Sequence, residues 1–205
     1  MKVRTAKGAR STLILAHGAG AGSSHPWMVR YAEGLVERGV HVVTFDFPYV
    51  MAGKKAPDPA PKLEEAYRAV AAEVRAEKKL AGCKLFLGGK SMGGRMASHL
   101  AAKGEACDGL VFFGYPLHPP GKPAQRRDAH LPKITAPMLF VQGERDAFGT
   151  REEMEPLVAK LGERATLFVV PWGDHSLAVP KKSGKTQDEA DASALDAAAT
   201  WILAR

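Results

Sequence analysis

The sequence predicts an α/β fold, in which helices cover both faces of a compact, mostly parallel sheet. Three observations support this prediction. Apolar runs alternate with amphipathic segments along the chain, and short joints containing glycine separate them. The apolar runs are continuous rather than alternating, as expected for strands that are buried on both faces. We expect a sheet of about six to seven strands in a single domain over residues 1–205.

Six apolar runs predict the main strands. They are residues 11–16, 40–45, 84–87, 110–113, 138–141 and 166–170. Few residues precede the first run, so the antiparallel strands that often open such sheets are expected to be reduced or absent.

Amphipathic segments between these runs predict helices. They cover residues 26–38, residues 61–80, the stretch from Ser91 to about Lys103, and a last helix that opens with the capping box Thr186-x-x-Glu189. Two proline-rich segments, 48–60 and 114–132, are predicted to be irregular. Each follows a strand and so lies at the carboxyl edge of the sheet, where open α/β sheets bind ligands. Neither is long enough to form a cap domain.

Ser91 is the candidate nucleophile, in the turn Gly89-Lys90-Ser91-Met92-Gly93 between a predicted strand and a predicted helix. A serine in such a turn has a strained backbone that holds its hydroxyl clear of the sheet. The flanking glycines avoid a collision where strand and helix cross. A phosphate-binding loop is excluded, because it would need a glycine where the chain has Lys84.

Asp146 and His175 are the candidate acid and base. A serine hydroxyl needs a base to remove its proton, and the base needs a third group to fix its tautomer. Both residues follow predicted strands, in the chain order serine, acid, histidine. Asp174 is a rival acid, but sequence neighbours rarely orient an imidazole well. Asp146 could alternatively cap the helix that follows it.

Two backbone N–H groups are candidates for stabilising the oxyanion of a tetrahedral intermediate. One belongs to Met92, directly after the serine, and the other to Ala19 in the glycine-rich loop after the first main strand. His17 and His25 flank this loop and are interpreted as structural. Histidines are otherwise scattered, without HExxH or paired CxxC motifs, so no metal and no cofactor are expected.

These residues together resemble the α/β-hydrolase superfamily, near the dienelactone-hydrolase-like proteins. The more specific segments are His17-Gly18-Ala19-Gly20 with His25-Pro26, Gly89-Lys90-Ser91-Met92-Gly93-Gly94-Arg95, Tyr115-Pro116-Leu117-His118, Arg127-Asp128 and Asp174-His175-Ser176-Leu177. They resemble a small hydrolase-like branch that includes a testis-expressed protein and a subunit of a histone-acetyltransferase-associated complex. The resemblance covers nearly the whole chain. It implies an α/β-hydrolase fold without a cap domain and a Ser91, Asp146, His175 triad, and it implies no particular substrate.

The expected function is cleavage of an ester, thioester or similar acyl bond of a small molecule through an acyl-enzyme. Acyl transfer and perhydrolysis at the same serine remain alternatives, as does a binding or scaffold protein that retains the fold without catalysis. We expect a cytoplasmic protein, because the sequence shows no signal peptide and no membrane-spanning run. Neither nucleic acid nor membrane is an expected partner.

The net charge of +7 could suggest nucleic acid, but the sequence has no recognition motif and no basic helix interleaved with aromatic residues. The positions of the basic residues instead suggest a preference for acidic substrates. Basic residues follow three predicted strands and should converge at the mouth of the site; they are Lys54, Lys55, Lys122, Arg126, Arg127, Lys181, Lys182 and Lys185. Solvated lysines that only maintain solubility are the alternative explanation. Arg127 is the best candidate for binding an anion, because a guanidinium can donate two parallel hydrogen bonds. Tyr115 and His118 are further candidate substrate-binding residues.

Overall fold

Seven strands form one sheet in the computed structural model, which describes residues 1–205. The strands are β1 (Lys2–Arg4), β2 (Ser11–Ala16), β3 (His41–Thr44), β4 (Lys84–Lys90), β5 (Gly109–Phe113), β6 (Met138–Gly143) and β7 (Ala165–Val170). Their order across the sheet is β1-β3-β2-β4-β5-β6-β7. Every pair is parallel except β1 with β3. The predicted fold class is confirmed, and the opening antiparallel part is reduced to one three-residue strand.

Helices cover both faces of the sheet. They are α1 (Pro26–Glu37), α2 (Pro48–Met51), α3 (Ala60–Ala76), α4 (Met92–Ala102), α5 (Arg151–Leu161) and α6 (Gln187–Leu203), with short 3-10 turns at Lys78–Leu80, Leu131–Lys133, Gly162–Arg164 and Lys181–Ser183. No helix combines the length and the apolar character needed to cross a membrane.

The core consists of two apolar layers, one on each side of the sheet. Alternate residues of β2 show the division: Ile14 and Ala16 pack in the layer under α3, α4 and α5, whereas Leu13 and Leu15 pack in the layer under α1 and α6. All four side chains are fully buried. Both faces of the strand are therefore apolar, which explains the continuous hydrophobic runs in the sequence.

Three helical features differ from the sequence-based expectation. The segment 48–60 contains α2, which starts with a proline in the first turn but is too short to show a helical period. The sequence indicated α5 only as a helix that Asp146 could cap, and no bounds were predicted for it. Pro156 lies inside α5 and argues against a helix, although Thr150 and Glu153 form a capping box at its start. The helix predicted to reach residue 80 ends at Ala76 and is followed by a 3-10 turn.

The carboxyl ends of neighbouring strands bring the candidate residues to one edge of the sheet. Ala19 follows β2, Ser91 follows β4, Arg127 lies in the connection after β5, Asp146 follows β6 and His175 follows β7. These five strands are adjacent in the sheet.

Candidate active site

Ser91 occupies a strained turn between β4 and α4, with φ 50° and ψ −115°. Its amide N–H donates to the carbonyl oxygen of Phe113 at 3.0 Å, which ties the turn to β5. A Cβ on Gly89 would lie 2.5 Å from the carbonyl oxygen of Ala16, and a Cβ on Gly93 would collide with the same atom. Only glycine therefore allows β2, β4 and α4 to approach this closely.

The three candidate triad residues lie within hydrogen-bond distance of one another. His175 Nε2 is 2.8 Å from Ser91 Oγ, and His175 Nδ1 is 2.8 Å from Asp146 Oδ2. A neutral imidazole protonated at Nδ1 donates to the carboxylate and accepts from the serine hydroxyl. This is the arrangement in which a histidine can act as general base towards a serine.

Asp146 is fully buried, and its charge is compensated by hydrogen bonds rather than by a cation. Besides His175, its carboxylate accepts from Gln142 Nε2 and from the amide N–H of Phe148, each at 2.8 Å. Gln142 is itself held in place, because its Oε1 accepts from the amide N–H of Tyr115 at 2.8 Å. Sequence reasoning missed Gln142; the available signal was a polar side chain near the end of an apolar strand.

The segment that carries His175 is fixed at several points. Trp172 and Leu177, on either side of it, have positive φ angles of 63° and 61°, a strained conformation that the surroundings must hold. Lys90 Nζ donates to the carbonyl oxygen of His175 at 2.6 Å. The ring of Phe148 stacks on the imidazole with centroids 4.0 Å apart. The imidazole is thus oriented by the hydrogen bond to the His175 backbone and by the stacking of Phe148 on the face of its ring.

Asp174 does not face the imidazole. Its Oδ1 accepts from the amide N–H groups of Ser176 and Ala178, at 2.7 and 2.9 Å. These bonds close the turn that follows His175, so the carboxylate has a local structural role.

Ala19 and Met92 line the same cavity as Ser91. The amide of Met92 is the first of α4, and the first N–H groups of a helix have no partner within it. The amide of Ala19 donates no hydrogen bond within the protein. His17 pins the loop, since Nδ1 is 2.8 Å from the carbonyl oxygen of Gly18 and Nε2 accepts from the amide N–H of Phe47.

His25 also has the structural contact that the sequence suggested. It precedes α1, and its Nδ1 accepts from the amide N–H of Trp27 at 3.2 Å. Both residues also line the cavity. The indole N–H of Trp27 donates to the carbonyl oxygen of Ser176, which links α1 to the segment that carries His175.

Ser91 opens into a cavity of about 610 Å³ with mixed lining. Apolar side chains form much of it, among them Trp27, Met28, Leu63, Pro116 and Phe148. The charged side chains are Lys90, Arg95, Arg127 and Asp58. Asp58 Oδ1 is 3.0 Å from Lys62 Nζ, whereas its Oδ2 is buried without a hydrogen-bond partner. The three basic side chains outnumber this one carboxylate, so the net charge of the lining is positive.

Two expected substrate-binding residues do not line the cavity. Tyr115 is buried, and its hydroxyl donates to the carbonyl oxygen of Arg127 at 2.9 Å. His118 is also buried, between Glu153 and the carbonyl oxygen of Pro119, each 2.9 Å from a ring nitrogen. The expectation of substrate contact is corrected for both, because they anchor the loop after β5 from inside the protein.

Most of the basic residues expected around the mouth do not line the cavity itself. Of the eight, only Arg127 lines the cavity. Arg126 is paired with Asp128, and Lys182 lies over the ring of Trp172. The cations that do line it, Lys90 and Arg95, belong to the turn around Ser91 and were not expected from the sequence.

Burial changes the acid–base properties of these two cations. It lowers the pKa of Lys90 to about 8, against the opposing effect of the negative charges of Asp146 and Asp174. It also lowers the pKa of Arg95, and the nearby positive charge of Arg127 adds to that effect. No group of three or more histidine, cysteine, aspartate or glutamate side chains is arranged to hold a metal ion.

A family model described as "Alpha/beta hydrolase domain" matches residues 9–203. The chain belongs to the alpha/beta hydrolase domain family. Among solved structures of similar fold is a serine hydrolase without a lid from Xanthomonas campestris, with a TM-score of 0.74 and 20% identity over 98% of this chain and 88% of that one. The dienelactone hydrolase of Anabaena variabilis has a TM-score of 0.76 and 20% identity, over 98% of this chain and 89% of that one. Est1E of Butyrivibrio proteoclasticus, solved with ferulic acid, has a TM-score of 0.77 and 15% identity, over 100% of this chain and 95% of that one.

Proposed function

We propose that the protein is a serine hydrolase that cleaves an ester, thioester or similar acyl bond through an acyl-enzyme. The observation that carries this proposal is the continuous set of hydrogen bonds from Asp146 through His175 to Ser91, which ends at the cavity. Family membership and the fold of the hydrolase neighbours support it. A protein that used this fold only as a scaffold would not need these three side chains within hydrogen-bond distance of one another.

In the proposed mechanism, Ser91 Oγ attacks the acyl carbon while His175 Nε2 takes the hydroxyl proton. Asp146 keeps the imidazole in the required tautomer and stabilises its protonated form. The N–H groups of Ala19 and Met92 donate to the oxyanion. His175 then returns the proton to the departing alcohol or thiol, leaving an ester on Ser91. A water molecule, deprotonated by the same imidazole, attacks this ester and releases the acid.

Fluorophosphonate labelling tests the proposal, because an activated serine oxygen displaces fluoride from phosphorus whereas an ordinary serine does not. The wild-type protein should be labelled, and Ser91→Ala should not be. Loss of the nucleophile should also lower kcat on a p-nitrophenyl ester by about 10⁶-fold. Ser176→Ala is the matched control, since Ser176 lines the same cavity but its hydroxyl makes no hydrogen bond to the His175 ring, whose partners are Asp146 and Ser91; labelling should persist. An unlabelled, inactive wild-type protein would instead favour the scaffold alternative.

Two narrower points belong to the same proposal. We infer a cytoplasmic location from Cys83 and Cys107, which are unpaired, as is usual in a reducing compartment. The narrower resemblance, to the branch with the testis-expressed protein and the acetyltransferase-complex subunit, rests on the sequence motifs around the site. The net positive charge of the cavity lining supports a preference for acidic acyl substrates.

A further inference from the structure

Arg95 and Arg127 line the cavity, and neither has a carboxylate within 4.0 Å. The Nε atom of Arg95 is buried and has no hydrogen-bond partner at all. A buried donor without a partner is unfavourable, and more so when the group is charged. The two positive groups also lie close enough for the charge of Arg127 to disfavour protonation of Arg95. The protein thus places two guanidinium groups without a salt-bridge partner at one cavity.

Both arginines are held by the elements that form the active site. Arg95 lies in the first turn of α4, where its amide N–H donates to the carbonyl oxygen of Ser91 at 3.0 Å. Ser91 and Arg95 both line the cavity, so the start of α4 places this guanidinium at the same cavity as the nucleophile. The backbone of Arg127 is fixed at both ends, by its N–H to Leu117 at 2.8 Å and by the Tyr115 hydroxyl on its carbonyl oxygen.

We propose that Arg95 and Arg127 together bind an anionic group of the substrate, a carboxylate or a phosphate, remote from the bond that is cleaved. An anion between them would offset their mutual repulsion and would accept hydrogen bonds from the parts of the two guanidinium groups that face the cavity. Guanidinium groups suit this role, because each presents parallel N–H donors that match two oxygens of such a group. The proposal rests on the proposed function for its reaction, and it names the substrate class as acidic esters or thioesters.

The kinetic test compares mono-p-nitrophenyl adipate with p-nitrophenyl hexanoate, which has the same chain length without the carboxylate. The 6-phosphonohexanoate ester forms a third arm and distinguishes a phosphate-type group from a carboxylate. Wild-type kcat/KM should be higher for one or both acidic esters, and the preference should shrink as salt is added. Loss of a charge-assisted hydrogen bond predicts a decrease of about 10- to 100-fold for the preferred acidic ester in Arg127→Ala and in Arg95→Met.

Three comparisons make this test specific. The kcat/KM for the acidic ester divided by that for the neutral ester should fall by about 10-fold or more in either variant, because only the acidic ester carries the group that the guanidinium groups bind. Arg126→Ala is the matched control, since Arg126 adjoins Arg127 but pairs with Asp128 outside the cavity; the acid preference should be unchanged. Arg95→Lys, which retains the charge, should recover part of the preference if Arg95→Met folds poorly. Equal rates for acidic and neutral esters in the wild type would overturn the proposal.

Binding without turnover separates this proposal from the catalytic one. Adipate or inorganic phosphate should bind to Ser91→Ala in a calorimetric titration, and the binding should be lost when Arg127→Ala is added. Hydrolysis of the neutral ester with no bound anion would overturn the anion site and leave the hydrolase intact. Anion binding by a protein that cleaves no ester would overturn the proposed function and retain the site.

Discussion

Lys90 directly precedes the nucleophile, and its titration should make the stability of the protein depend on pH. Burial lowers the pKa of its ammonium group from 10.5 to about 8 in the folded protein. Between these two values the unfolded chain binds more protons than the folded one, so stability rises with pH in that window. The sign is the reverse of that for a lysine in a salt bridge, since burial here penalises the charged form.

The size of the effect follows from the two pKa values. From pH 7.5 to 9.5 the free energy of unfolding should rise by about 1–2 kcal/mol through Lys90 alone. The lower end of this range allows for the part of the side chain that solvent still reaches. Lys90→Met should remove this rise, because methionine is unbranched, similar in length and uncharged.

The assay is urea unfolding of both proteins at three pH values across this window, with the m-value checked for constancy. Other groups titrate in both proteins, so the difference between the two pH profiles isolates Lys90. The exposed residue Lys122 provides a control, and Lys122→Met should keep the wild-type profile. Parallel profiles for wild type and Lys90→Met would refute the argument that this amine is desolvated beside Ser91.

Three further predictions concern the support of the triad. Asp146→Asn should lower kcat by about 10⁴-fold, because the amide lacks the negative charge and its N–H₂ group can favour the wrong imidazole tautomer, whereas Asp174→Asn should change kcat less than about tenfold. Steady-state kinetics on one ester would reveal a reversed ranking. Gln142→Leu should lower kcat by about 10- to 100-fold with little change in KM, since it frees the carboxylate; an unchanged kcat would contradict this role. Gly93→Ala should destabilise the fold by about 3 kcal/mol or more through its collision with Ala16, and an unaltered melting temperature would contradict the close packing.

The parts of the site that the sequence predicted are those that depend on local backbone geometry or on sheet topology. The glycines around Ser91 report a close crossing within five residues, and the structure shows that crossing. Asp146 and His175 are distant in sequence, but the strands before them are parallel neighbours, so their following loops must meet at one edge. Local backbone geometry and sheet topology also identified the fold class and the loop that carries Ala19.

Side-chain depth could not be predicted from these rules. Tyr115 follows β5 at the correct edge, yet its ring packs in the core and only its backbone partner, Arg127, reaches the cavity. His118 was misjudged for the same reason. A sequence position fixes the edge of the sheet at which a residue emerges, whereas the direction of its side chain depends on packing between elements that are remote in the chain.

The burial of each positive side chain affects how strongly its charge acts on the cavity. Seven of the eight basic residues expected around the mouth do not line the cavity. In water at physiological salt, the field of an exposed charge is largely screened beyond about 10 Å. Lys90 and Arg95 belong instead to the strand–turn–helix that carries Ser91, where burial leaves their charges less screened. The nucleophile, the amine that holds the His175 backbone and one half of the proposed anion site thus lie within six consecutive residues. A change that shifts this turn should therefore alter ester cleavage and acid preference together, whereas Arg127, on a separate loop, should affect acid preference alone.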